Sequence, residues 1–286
     1  MKNYWSALCL LMAVLVLVLS ASAAEPPVTF TFKTIAIAGA QSTQVFGINN
    51  SGVMVGSYVD RHGTRHGFML AGGKLTDIDD PNGTNTYCFA INQAGVIVGN
   101  YTTSSFAAQA FMYQGGTFTD IGPAGSTGSQ ALGINDQGEI SGNFADSAGV
   151  HGFLWDGTTY TTQDVPGAAF TLGGGINKAG LQTEVWIDSA SSSESSLHKG
   201  SQYKTIDVPG AEDSSAGGIN SAGDVVYSWE DDSDNYHGAL RHGGHFVNFD
   251  NPNGTRTFGY GINDHRTIVG AYVDTNGVTL GYKATY

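Results

Sequence analysis

Two stretches of the sequence, 184–188 and 227–235, combine carboxylates with aromatic rings. Paired carboxylates perform the acid/base chemistry of glycosidic bond cleavage, and aromatic rings contribute large apolar faces on which a sugar ring can stack. We therefore predict a carbohydrate site in this region. Its expected ligand-binding residues are Trp186, Tyr227 and Trp229, and its acid/base candidates, if it is catalytic, are Glu184, Asp188 and Glu230.

The segment 230–235 also concentrates oxygen-bearing side chains. Calcium is a hard cation that prefers carboxylate, amide and carbonyl oxygens. The segment lacks the full EF-hand spacing, so an ordinary solvated turn is the alternative to a calcium site. The predicted ligands are Glu230, Asp231, Asp232, Asp234 and Asn235.

These stretches belong to a repeat that runs through the sequence. The segment "GINNSGVMVGSY" starts at residue 47, and related segments start near 90, 133, 175, 218 and 261, which is a spacing of 42 or 43 residues. Such regular spacing indicates supersecondary units that bury their faces against each other.

Each repeat contains four short runs of β-branched and aromatic residues, separated by Gly, Asn, Asp or Pro. In the first repeat the predicted strands are 44–48, 53–59, 66–70 and 75–78. Four strands in about 43 residues is typical of one blade of a β-propeller.

The two ends of the sequence complement each other. The sixth repeat, 261–286, stops after its third strand, whereas 30–46 contains an extra strand before the first repeat. If 30–46 supplies the missing strand, the ring closes and no open sheet edge remains. We therefore predict an all-β fold, a six-bladed β-propeller with four antiparallel strands per blade, whose last blade is closed by the N-terminal strand.

The repeat motifs carry a family resemblance. The pattern G-I-N-x-x-G-x-I-V-G-x-Y, followed by His-Gly-Phe at 66–68 and 151–153 and by Gln-Ala-Phe at 109–111, resembles the HAF-type repeats of bacterial extracellular proteins. The resemblance covers essentially the whole sequence after the predicted signal peptide. It implies secretion and a repeated β-fold, and it supplies no catalytic residues.

Composition limits the functional classes. Residues 1–24 have a lysine, an apolar run and small residues, so we predict a signal peptide followed by one domain, 25–286, that is secreted or periplasmic. The formal net charge of −13 argues against nucleic-acid and anionic-membrane partners. We expect no membrane span after signal cleavage, a monomer, and no cofactor other than calcium.

Two functional hypotheses follow. In the first, the protein is a non-catalytic propeller that binds a glycan, a cell-envelope component or a protein partner through acidic loops on one face. In the second, it is a propeller glycoside hydrolase or polysaccharide lyase with a site between the fourth and fifth repeats. A purely structural alternative exists for the aromatics, because every repeat has an aromatic at the position of Trp186 and Trp229.

Overall fold

The computed structural model describes residues 28–188 and 193–286, which form six four-stranded antiparallel sheets. The predicted signal peptide, 1–24, lies outside the described residues. Among the described residues, no helix has the length and apolarity that crossing a membrane requires. The predicted all-β, six-bladed propeller is confirmed.

Each sheet is one blade, and its first strand lies nearest the central axis. Blade one contains β2 (Ser42–Ile48), β3 (Met54–Val59), β4 (Arg65–Ala71) and β5 (Lys74–Asp77). Blade two contains β6 (Thr84–Ile91), β7 (Ile97–Thr102), β8 (Ala108–Gln114) and β9 (Thr117–Asp120). Blade three contains β10 (Gly128–Ile134), β11 (Ile140–Ala145), β12 (Val150–Trp155) and β13 (Tyr160–Thr162).

The second half repeats this order. Blade four contains β14 (Phe170–Ile176), β15 (Gln182–Ile187), β16 (Ser193–Lys199) and β17 (Gln202–Thr205). Blade five contains β18 (Asp213–Ile219), β19 (Val225–Glu230), β20 (Tyr236–His242) and β21 (His245–Phe249). Blade six contains β22 (Gly254–Ile262), β23 (Thr267–Asp274) and β24 (Thr279–Thr285), and its outermost strand is β1 (Thr31–Ile35).

The ring is closed by pairing between the two ends of the described chain. β1 pairs antiparallel with β24, with Thr31 opposite Thr285 and Ile35 opposite Gly281. The terminal strand thus covers the edge that β24 would otherwise expose.

The inner strands divide their side chains between the blade packing and the channel. In β2, Thr43, Val45 and Gly47 are buried, while Gln44 and Phe46 between them are partly exposed. This alternation follows from the two-residue period of a β-strand. Each inner strand therefore contributes one row of side chains to a central channel.

The Asn of each Gly-Ile-Asn motif, which is Ala-Ile-Asn in blade two, performs two structural tasks. The Asn49 side-chain oxygen accepts hydrogen bonds from the backbone N–H groups of Ser51 (3.1 Å) and Val53 (3.0 Å), which fixes the turn after β2. Its side-chain amide donates to the Asn92 carbonyl of the next blade at 3.1 Å. Gly52 in this turn has φ +74°, which favours glycine.

The same bond between neighbouring blades occurs six times. At the seam between blades six and one, Asn263 donates to the Asn49 carbonyl at 3.0 Å. The six side chains thus form a closed circle of hydrogen bonds, which we call the Asn ring. Its members are Asn49, Asn92, Asn135, Asn177, Asn220 and Asn263.

Neighbouring blades pack through apolar clusters at five of the six interfaces. Between blades six and one, for example, Ile35 belongs to the same buried cluster as Met54 and Phe68. Corresponding clusters join blades one and two, two and three, four and five, and five and six. These clusters supply the hydrophobic stabilisation of the ring.

The interface between blades three and four is different. Among the described residues it has no apolar cluster, and buried polar side chains occupy the positions that are apolar elsewhere. Gln163 replaces the isoleucine seen at Ile35, and Ser196 replaces the phenylalanine seen at Phe68. We call this set the polar seam. Its members are Gln163, Gln182, Glu184, Ser196 and His198.

A buried ion pair lies in the polar seam. His198 Nδ1 is 3.1 Å from Glu184 Oε1, and the two side chains are 0% and 1% exposed. Burial lowers the pKa of His198, but the Glu184 carboxylate and the Gly200 carbonyl outweigh it and raise that pKa overall. Glu184 Oε2 and the Ser196 hydroxyl have no hydrogen-bond partner. A buried pair of this kind costs desolvation free energy that apolar packing would not.

We predict that Asn263→Ala lowers the free energy of unfolding by about 1–3 kcal/mol, because it leaves buried backbone groups unsatisfied. Chemical denaturation followed by circular dichroism measures the change. The matched control is Asn276→Ala, since Asn276 is exposed in a turn of blade six. Equal stability of the two variants would contradict a structural role for the Asn ring.

We predict opposite effects from two changes in the polar seam. Glu184→Gln leaves the buried His198 without its counter-charge and costs about 3–5 kcal/mol. Restoring the residue types of blades six and one, with Gln163→Ile, Gln182→Met, Glu184→Gly, Ser196→Phe and His198→Leu together, stabilises by about 1–4 kcal/mol. Denaturant midpoints measure both, and a destabilised five-site variant would contradict this assignment.

Candidate ligand-binding face

The two ends of the channel carry different charge. The links between blades and the loops between second and third strands meet at one end, which we call the acidic face. Its carboxylates are Asp60, Asp79, Asp80, Asp146, Asp164, Asp188, Glu194, Asp207, Glu212, Asp213, Glu230, Asp231, Asp232, Asp234, Asp250 and Asp274. Arg61, Arg65 and Arg256 offset part of this charge, whereas the opposite face mixes Lys74, Lys178, Lys199, Arg241 and Arg266 with Asp136, Glu139, Asp156, Asp224 and Asp264.

Three histidines on the acidic face each lie between two carboxylates. In blade one, His66 Nδ1 is 2.7 Å from Asp79 and its Nε2 is 3.6 Å from Asp60. The same arrangement recurs in blades three and five, at one-third intervals around the ring. We call these the Asp–His–Asp units, and they are Asp60–His66–Asp79, Asp146–His151–Asp164 and Asp231–His237–Asp250.

Within each unit the two carboxylates have different roles. Asp60 accepts hydrogen bonds from the backbone N–H groups of His62 (2.8 Å) and Thr64 (2.9 Å), so it fixes its own loop and its pKa is lowered. The other carboxylate is more open to solvent, with side-chain exposures of 43% for Asp79, 43% for Asp164 and 55% for Asp250. Each unit therefore presents one anchored and one accessible carboxylate.

The flanking carboxylates control the histidine charge. Burial lowers the pKa of His66 and of His237, but their two carboxylates more than compensate, so both pKa values are raised overall. At His151 the hydrogen bond to Asp164 is the largest influence, and that pKa is raised as well. Each unit at weakly acidic pH is therefore an imidazolium between two carboxylates.

An aromatic ring lies beside each histidine. His66 stacks on Tyr58 with ring centroids 5.1 Å apart, and His237 stacks on Trp229 at 4.6 Å. Phe144 lies 5.2 Å from His151. Trp229, a predicted ligand-binding residue, thus belongs to the blade-five unit, and its indole N–H is buried without a hydrogen-bond partner.

The other predicted aromatics lie in different environments. Tyr227 is 0% exposed and packs edge-on against Phe246 in blade five. It lies opposite Ala239 on the next strand, where blades one, two, three and six have a glycine opposite a large ring. Trp186 is half-buried, lies opposite Glu194 and also has an unpartnered indole N–H.

The three acid/base candidates lie in different surroundings. Glu184 faces the polar seam and contacts His198. Asp188 follows β15 at the acidic face, where it and Asp207 add to the burial that raises the pKa of Glu194. Glu230 ends β19 and raises the pKa of Tyr236 through a hydrogen bond. Their catalytic role remains a prediction.

The predicted calcium segment forms a tight turn. Asp231 Oδ1 accepts from the backbone N–H groups of Ser233 (2.8 Å) and Asn235 (3.0 Å), and these bonds lower its pKa. Asp234 has φ +60° at the tip of the turn. Among the described residues, no group of three or more His, Cys, Asp or Glu side chains is placed to hold a metal ion. The calcium site remains a prediction from the sequence.

The Asp–His–Asp units were not predicted from the sequence, although a signal was present. Each histidine precedes its accessible aspartate by 13 residues, as His66 precedes Asp79 and His151 precedes Asp164. In a blade this separation joins the start of the third strand to the link after the fourth. The recurrence of this His-to-Asp spacing in alternate repeats is the sequence signal for the Asp–His–Asp units.

No protein-family model matches this sequence, and no curated protein matches it. Solved structures do match the fold. A lectin from Aleuria aurantia in complex with Fucα1-6GlcNAc is 10% identical, with 88% of this chain and 93% of that chain covered and a TM-score of 0.53. The SapL1 lectin in complex with α-methyl fucoside is 11% identical, with 85% and 93% covered and a TM-score of 0.58. TolB from Acinetobacter baumannii is 11% identical, with 87% and 65% covered and a TM-score of 0.56. Such similarity shows the propeller fold alone.

We predict that the histidines make stability depend on pH. A histidine whose pKa is raised above its ordinary value of 6.5 stabilises the fold fully below that pH, and this contribution is lost as pH rises through the raised value. The lowered pKa of Asp60, Asp146 and Asp231 gives a contribution that is lost as pH falls below the ordinary 3.8. Stability should therefore be highest between these limits.

Thermal melts at pH 5.5 and pH 8.5 measure this dependence. We expect the combined variant His66→Gln, His151→Gln, His237→Gln to lower Tm by about 2–4 °C at pH 5.5 and by less at pH 8.5. His245→Gln is the control, because His245 is exposed. An equal loss at both pH values would contradict a role for the imidazolium form.

Proposed function

We propose that this chain is a secreted, non-catalytic binding propeller of the HAF-type repeat class that holds a glycan on its acidic face. The three Asp–His–Asp units are the proposed contact points. The alternative partners, a cell-envelope component or a protein, would use the same face. The observation that carries the proposal is the recurrence of one accessible, histidine-pinned carboxylate in blades one, three and five.

The chemistry of the units suits a neutral polyol. A carboxylate accepts hydrogen bonds and does not donate them, so its natural partner is a hydroxyl or amide donor. Sugar hydroxyls are such donors. Because the histidine fixes the carboxylate before binding, less side-chain freedom is lost when the ligand binds.

The spacing of the units favours a repeating ligand. Three equivalent contact points around one ring can bind successive residues or branches of a polysaccharide. Each contact can then be weak, because linked contacts raise the overall affinity through a high local concentration. An anionic polymer would be repelled by this face.

The comparisons and the sequence add support of different kinds. The fold is shared with fucoside-binding lectins, so this architecture is compatible with sugar binding. The HAF-type motifs and the N-terminal segment 1–24 support secretion to the periplasm or beyond. Trp229 is the predicted ligand-binding residue best placed to contribute, because it stacks on His237 of the blade-five unit.

The proposal is tested by binding of the full chain, as a monomer, to an immobilised polysaccharide panel with and without a calcium chelator. We expect retention by a neutral polysaccharide and no released product. Asp79→Asn, Asp164→Asn and Asp250→Asn should each weaken binding about 3- to 10-fold, and the three together about 100-fold or more, since linked contacts are lost in combination. Loss of binding with the chelator would support the calcium site at 230–235.

The matched control is Asp274→Asn, because Asp274 fixes the corresponding loop of blade six without a histidine. Trp229→Ala and Trp186→Ala separate the blade-five unit from the blade-four aromatic. Undiminished binding by the three-site variant would contradict the proposed contact points. Steady release of cleaved glycan would overturn the non-catalytic assignment.

A further inference from the structure

The central channel holds two cavities on either side of a ring of isoleucines. The larger, which we call the upper chamber, has a volume of about 370 Å³. The smaller, about 80 Å³, lies between the isoleucines and the residues that follow the Asn ring. The isoleucines that separate the two are Ile48, Ile91, Ile134, Ile176, Ile219 and Ile262.

One wall of the upper chamber is aromatic. Phe46 lies between Phe89 and Tyr260, with ring centroids 5.2 Å from each. All three side chains line the chamber and are partly exposed. Blades six, one and two thus contribute three neighbouring rings, which are edge-on or tilted to one another, and Leu132 of blade three lies next to them on the chamber wall.

The opposite wall is bare backbone. Blades four and five have Gly174 and Gly217 where the other blades have large side chains, and the chamber reaches Val185 behind them. Close approach of the strands requires these glycines, because a Cβ at Gly217 would lie 2.6 Å from the Tyr260 carbonyl oxygen. The Thr183 hydroxyl donates to the Gly217 carbonyl at 2.6 Å, which holds this backbone in place.

The chamber offers little polarity. None of the described residues that line it carries a charge, and its polar side chains are those of Ser215 and Tyr260. Burial raises the pKa of Tyr260 to about 12, so its hydroxyl stays neutral. A charged ligand would be desolvated without a partner, and a sugar would leave most of its hydroxyls unpaired.

We propose that the upper chamber is a binding site for a small uncharged molecule with a planar aromatic ring. The ring would stack on the wall formed by Phe46, Phe89 and Tyr260, and its edge would fill the recess over Gly174 and Gly217. The volume is within the roughly 300–1,000 Å³ of small-molecule pockets. This site is separate from the Asp–His–Asp units and does not depend on glycan binding.

Access is from the acidic face. Leu172 and Ser215 lie in the row of the inner strands closer to that face and line the chamber on the glycine side. The other end is narrowed by the isoleucines and by the Asn ring, whose side chains are buried. A ligand would therefore enter the upper chamber from the acidic face, on the side of blades four and five.

The test is isothermal titration calorimetry of the full chain with indole, and with indole-3-carboxylate as the charged match. We expect saturable binding of indole to one site, with a negative heat-capacity change, and at least 10-fold weaker binding of the carboxylate. Leu172→Trp should fill the glycine side of the chamber and weaken indole binding at least 10-fold. Leu75→Trp is the control, because Leu75 lies on an outer strand and is 37% exposed.

A second variant tests the site independently, in case Leu172→Trp fails to fold. Phe89→Leu removes one ring of the aromatic wall and should weaken indole binding while the thermal unfolding curve stays cooperative. The site is overturned if the wild-type chain binds no indole, or if both channel variants bind it as well as Leu75→Trp does.

Discussion

The fold depends on one side chain that is used twice in every blade. Each asparagine of the Asn ring fixes its own turn through its oxygen and reaches the next blade through its amide. Because the sixth bond returns to Asn49, the circle has no end that can fray. The Asn of each repeat therefore links neighbouring blades as well as fixing the shape of its turn. A glutamine could not do both tasks, since its longer side chain would move the oxygen away from its own turn.

This frame leaves the blade interfaces free to differ. Five interfaces are apolar, while the polar seam keeps a buried ion pair between Glu184 and His198. Because the ring is closed, blades three and four cannot separate without disturbing contacts at the other interfaces. The fold can therefore tolerate one less stable interface. The same frame holds the channel open, so aromatic rings on one side and bare glycine backbone on the other can coexist at the same level.

The architecture could be predicted from the sequence because the motifs that form each blade recur at a regular spacing. The Ile-Asn spacing gives the blades, and the two incomplete ends give the closure, which β1 and β24 confirm. The contacts between repeats were harder to foresee. Glu184 is an acid/base candidate in the sequence because it is a carboxylate close to Trp186, yet in the structure its partner His198 lies on the next strand in a degenerate motif. The 13-residue link from His66 to Asp79 was equally hidden, since it becomes a contact only after four strands have folded into a blade. Side-chain pairing across strands depends on register, which composition and spacing do not specify.

The position of β1 has a consequence for how the protein can be displayed. Thr31 of β1 and Thr285 of β24 are directly opposite each other and lie on the side of the Asn ring, away from the acidic face. Any segment attached before β1 or after β24 would therefore leave from the underside of the ring. If the molecule were attached to a surface through either terminus, the acidic face and the open end of the channel would point away from that surface.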